Sequence, residues 1–133
     1  MVNPGETEKI TINLGPVDLG QIDLLVQEGF YSNRTDCIRT AIRNELAKHA
    51  DVVRSSVARK TLALGIHHYT RQDLEAIQAA GHRLEINVLG LASIAEDVPP
   101  ELALATIQSI SVLGALRASP QVRAALRGRI LSP

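Results

Sequence analysis

The sequence predicts a mixed α/β chain in two parts: a short strand with two helices behind it, then a small solenoid-like strand–helix repeat. Three observations predict it. Lys9-Ile10-Thr11-Ile12-Asn13-Leu14 alternates strictly between polar and apolar residues, the period of a half-buried strand. Two stretches with apolar residues at helical spacing follow, divided by Gly29. Further on, Ile86-Asn87-Val88-Leu89-Gly90 returns 24 residues later as Ile110-Ser111-Val112-Leu113-Gly114, a period in the range of solenoid repeats.

Residues 1–7 are polar apart from the start and contain Pro4-Gly5, which reads as a loose arm. In the strand that follows, Ile10, Ile12 and Leu14 share one face, and Lys9, Thr11 and Asn13 the other. Gly15-Pro16 closes it. The first helix is expected to be capped by Asp18, to carry Leu19, Ile22, Leu25 and Val26 as its apolar stripe, and to end at Gly29. After the apolar bridge Phe30-Tyr31, Ser32 or Asn33 caps a second helix with the stripe Ile38, Ala41, Ile42 and Leu46. That helix is expected to continue past His49 towards Val53. Ser55-Ser56 is the expected boundary, giving domains 1–56 and 57–133.

In the second part each apolar pentapeptide precedes a helix-start signal: Pro99-Pro100-Glu101-Leu102 for the first copy, Ser119-Pro120-Gln121-Val122 for the second. A fainter early copy is Leu62-Ala63-Leu64-Gly65, followed by Thr70 and Asp73 at capping-box spacing. Such units stack into a small parallel sheet with helices on one side, Ile86, Val88, Ile110 and Val112 facing the shared core. Open sheet edges recruit partners, so this half is expected to drive assembly to tetramers or larger, or to sense an effector.

Charge is balanced: 14 basic and 14 acidic side chains in all, eight of each in residues 1–60 and six of each thereafter. Any affinity for nucleic acid must then come from where charges sit and from oligomerisation. Aromatic residues make up only 2% of the chain, which disfavours a single-strand binder that stacks bases. No apolar run reaches bilayer length and no leader pattern precedes the arm. The single cysteine, Cys37, cannot pair within the chain, which suits a reducing compartment. The expectation is a cytoplasmic protein without a membrane partner.

One strand and two short helices cannot close a core alone, because the strand's backbone and apolar face stay open. Pairing two strands from two chains over four helices solves this. The order strand–helix–Gly-x-Tyr-Ser–helix, with Arg34, Thr35, Ile38, Arg39, Ala41, Ile42 and Arg43, resembles the ribbon-helix-helix regulators of the CopG, Arc and MetJ type, over about Glu8 to His49. The resemblance implies a homodimer on double-stranded DNA. It makes Lys9, Thr11 and Asn13 base readers in the major groove, for which a donor, a hydroxyl and a bidentate amide are suited. It makes Ser32, Asn33 and Arg34 a phosphate clamp at the start of the second helix.

Other chemistries are weaker. His49, His67, His68 and His82 form no ligand spacing, and the nickel-sensing pattern known in part of this family is not reproduced, so no metal and no cofactor are expected. Cys37, beside the apolar stripe, reads as a small buried hydrophobe. Arg117, Arg123, Arg127 and Arg129 read as a solvated face. No nucleophile–base constellation or phosphate loop stands out, and an enzyme is not expected. The leading function is a sequence-specific, repressive DNA-binding regulator. The alternatives are the antitoxin of a toxin–antitoxin pair, or a self-assembling structural DNA-binding protein.

Overall fold

A computed structural model of the chain describes residues 7–131; of the expected loose arm, only Thr7 lies within them. Among the described residues the architecture is mixed α/β, with six α-helices and a four-stranded parallel sheet. Two compact units are present. Lys9–Ser56 forms one, and Val57 onward, with Glu8, the other.

The first unit is helical. Helix α1 (Pro16–Gln27) starts one turn earlier than expected: Gly15 is its cap, its carbonyl accepting from Leu19 N–H at 3.1 Å. Pro16 decides this, because its fixed φ and missing N–H suit the first helical position. Asp18 falls in the first turn instead, where its charge still complements the helix dipole. At the other end Gly29 adopts φ +85°. Its N–H donates to Val26 O (3.1 Å) and that of Phe30 to Leu25 O (3.0 Å), a Schellman closure that needs a left-handed residue there.

Helix α2 (Arg34–Lys48) is capped by Asn33. It stops at His49, and a separate helix α3 (Ala50–Lys60) follows directly. His49 serves both: its N–H donates to Leu46 O, while its carbonyl accepts from Val53 N–H. The expected boundary at Ser55-Ser56 therefore lies inside α3. The expected strand over Lys9–Leu14 is not formed in the single chain. A ladder needs a second strand, and none of the described strands pairs with it.

In the second unit strands and helices alternate: β1 (Ala63–Tyr69), α4 (Arg71–Ala79), β2 (Leu84–Ile94), α5 (Pro100–Thr106), β3 (Ile107–Arg117), α6 (Pro120–Ala125), a 3-10 turn (Arg127–Arg129) and β4 (Ile130–Leu131). Thr70 and Asp73 form a reciprocal capping box at α4, and Ser119 caps α6 with Pro120 in the first turn. The strands lie in chain order, all parallel. The residues that repeat in sequence are partners in register: Leu64 with Leu89 and Leu113, Gly65 with Gly90 and Gly114. Ile86, Val88 and Ile110 are fully buried against Leu74, Leu102, Ala103 and Val122 from the helices, with Val112 at the margin.

The three glycines have φ of +115°, +137° and +124°, so each strand kinks at the same level. A Cβ on Gly90 would collide with the carbonyl of Gly65, and one on Gly114 with that of Gly90, whereas a Cβ on Gly65 would meet nothing. The kink is a stacked feature. Gly90 and Gly114 each leave room for the backbone of the strand before them.

Candidate nucleic-acid interface

Residues 7–18 are exposed throughout, so Lys9, Thr11 and Asn13 stand in solvent. So do their apolar neighbours Ile10 and Ile12, at 75% and 60% exposure. Three hydrogen-bonding side chains thus alternate along the segment with three uncovered apolar ones.

The turn between α1 and α2 is held by the Asn33 cap, one of the two the sequence offers, and by two carboxylate contacts not foreseen from sequence. Asn33 Oδ1 accepts from Asp36 N–H at 2.8 Å. Asp36 reaches back, its Oδ2 accepting from Ser32 N–H (3.0 Å) and Ser32 Oγ (3.2 Å). Arg34 donates through Nε to Asp23 Oδ1 (2.7 Å) and through Nη2 to Oδ2 (2.8 Å), a fork between α1 and α2. The hydrogen bond from Arg34 holds the Asp23 carboxyl below its ordinary value. Ser32, Asn33 and Arg34 are thus brought together at one helix start, with the donors of Ser32 and the guanidinium of Arg34 each facing a carboxylate. Asp23 and Asp36 were missed by sequence reasoning. Asp36, three residues after Asn33, was the available signal for a reciprocal cap.

The model of the ribbon-helix-helix transcriptional regulator family matches residues 5–123. The chain belongs to that family. Neither a curated protein nor a solved structure matches it. The match corrects the reach of the resemblance, which was drawn over Glu8 to His49 alone. The strand–helix half as far as α6 is part of what this family of DNA-binding regulators shares.

Elsewhere in this regulator, Cys37 is buried in α2. Among the described residues no group of three or more His, Cys, Asp or Glu side chains is placed to hold a metal ion, and no helix is long and apolar enough to cross a membrane. Two of the C-terminal arginines are structural rather than merely solvated. Arg129 Nη1 donates to Leu104 O (2.5 Å) and Ile107 O (2.9 Å), where α5 passes into β3 without a loop. Arg123 donates to Leu116 O. Leu104 lies in the last turn of α5, whose carbonyls have no partner within the helix.

Proposed function

We propose that this regulator is a sequence-specific repressor in which two chains pair their Lys9–Leu14 segments into a ribbon that enters the major groove. The observation that carries this is the exposed, strictly alternating segment. Ile10, Ile12 and Leu14 need a cover, and a second copy of the same segment supplies it while pairing the backbone. Lys9, Thr11 and Asn13 then face the bases. Ser32, Asn33 and Arg34 grip a phosphate, which takes over from Asp36 on the Ser32 donors.

The second unit supports assembly beyond the dimer. Its sheet turns one face to the helices, while Leu64 and Ile66 on the other face are exposed, and β1 is an open edge. A further copy of the chain is the occupant we assign to it, since dimers already joined on neighbouring sites meet at high effective concentration. The antitoxin alternative expects a charged tail that folds only on a toxin. The closed core of Ile86, Val88, Ile110 and Val122 argues for the regulator instead.

Selection of bound DNA from a random pool, then binding titrations at several salt concentrations, tests the proposal. Asn13→Ala should lose about 1–3 kcal/mol on the selected site and almost nothing on random DNA. Arg34→Gln should weaken both alike and lower the salt slope by about one for the lost phosphate contact. Equal losses on both DNAs for Asn13→Ala would remove it from the base readers.

A further inference from the structure

A cleft of about 390 Å³ opens at the carboxyl ends of β2 and β3, lined by Ser93, Ile94, Glu96, Leu116, Arg117 and Arg123, with Glu8 over it. All of these belong to one compact unit. This volume suits a small molecule.

The contents of the cleft define what it takes. The Glu8 carboxylate accepts from Arg117 Nε at 3.0 Å and also from Nη2, while the Thr7 carbonyl accepts from Nη2 at 3.3 Å. Arg117 is in register with Ser93, and Ser93 with His68, so the three form one row across the strand ends. Ser93 is 8% exposed. His68, the register neighbour of Ser93 and itself outside the cleft's lining, has a buried Nδ1 atom with no hydrogen-bond partner among the described residues. A buried ring nitrogen without a partner is costly and marks a place for a polar group.

We infer that this cleft binds a small organic acid whose carboxylate replaces that of Glu8 on Arg117 and whose second polar group lies along Ser93 towards His68. Glu8 is one built-in competitor for Arg117. An acid that displaces it releases the residue immediately before Lys9, giving the chain an effector input. That input rests on the reading of Lys9–Asn13 above; the site itself does not.

The site is tested without DNA by calorimetric titration of the full chain with malate, butyrate and inorganic phosphate. Malate, carrying carboxylate and hydroxyl, should bind most tightly. Glu8→Gln, which removes one competing carboxylate from Arg117, should bind it several-fold more tightly than the unaltered protein. Arg117→Gln should bind none, and Arg117→Lys, which keeps the charge without the fork, should bind weakly. Thermal melts confirm that each variant is folded. No heat with any of the three probes in both the unaltered protein and Glu8→Gln overturns the site. So does binding by Arg117→Gln equal to that of the unaltered protein, or phosphate matching malate. An effector site with a DNA-binding reading that fails would still give the malate titration, so the two failures are distinguishable.

Discussion

The two units of this regulator spend similar apolar sequence in opposite ways. From Val57 onward the chain closes its own core, with Leu74, Ile86, Val88, Ile107, Ile110, Val122 and Leu126 almost wholly removed from water. In Lys9–Ser56 only Cys37 is buried, while Ile10, Ile12, Val17, Leu24, Phe30 and Leu46 are exposed. Each such side chain is worth roughly 1.5–3 kcal/mol when covered. The first unit thus leaves most of its apolar surface in water, and if a second chain covers it as proposed above, its stability should depend on concentration. The second unit is stable as it stands.

The largest expected effect breaks the self-sufficient half. Gly114→Ala forces a Cβ into the Gly90 carbonyl at a φ of +124°. Neither the clash nor the backbone can relax without parting β2 from β3, and the loss should exceed about 3 kcal/mol. Gly65→Ala meets the same strained φ but open space, so only the left-handed penalty of about 1–2 kcal/mol applies. Amide exchange resolved along the chain should find the core of β2 and β3 unprotected in the first variant and protected in the second. Equal damage from both would mean that the ladder is held by something other than backbone approach.

The dependent half is tested by dilution. Its melting should move with protein concentration, each tenfold rise adding about 1.4 kcal/mol to a dimer, while the melting of the sheet unit stays fixed. Ile12→Asp should abolish that dependence and the binding of DNA together, because a charge would be buried in the ribbon. The sheet unit should be untouched. A concentration-independent transition for the helices of the unaltered protein would leave the ribbon without support.

How far each half could be foreseen follows the same division. The strand–helix alternation past residue 60 was legible because its signals are local: Thr70 and Asp73, Pro100 and Ser119-Pro120 each set their own helix start, and the pentapeptides at Ile86 and Ile110 became register partners. The stacking of Gly65, Gly90 and Gly114 was not foreseen, since a positive φ leaves no trace in a hydropathy pattern. Near the N-terminus the alternation from Lys9 to Leu14 was plain, yet the strand itself cannot form within one chain. Asp18 was mistaken for a cap because a proline two residues earlier outranks a carboxylate as a start signal. The candidate contacts were only half legible: Lys9, Thr11 and Asn13 are exposed, but so are Ile10, Ile12 and Leu14, and a single chain does not separate the two faces. That Arg34 would meet Asp23 depends on how α1 lies on α2, and eleven residues of separation hide it.

The smallest expected effect sharpens the comparison at acid pH, where both units carry one aspartate held ionised. In the sheet unit, hydrogen bonding by Thr70, first from its backbone N–H, which donates to Asp73 Oδ2, and then by its side chain, keeps the Asp73 carboxyl below its ordinary value. In the helical unit the Arg34 fork does the same for Asp23. A carboxyl whose folded pKa lies below its unfolded one binds protons first in the unfolded chain, so folding gains from it at neutral pH. That gain is complete above the unfolded value, near pH 4, and disappears as pH falls through the lower folded one. Melting temperatures taken from about pH 6 down to pH 2 should therefore decline below about pH 4 in both transitions. Asp73→Asn should flatten the decline of the sheet unit alone, and Asp23→Asn that of the helical unit alone. Both groups are exposed, so each change should be small and should shrink for Asp23 in high salt, where its ion pair is screened. The Asp73 contribution, built on hydrogen bonds to a helix start, should persist in the same salt. A salt response of equal size for the two variants would mean that simple charge attraction, and not the capping geometry, holds Asp73 ionised.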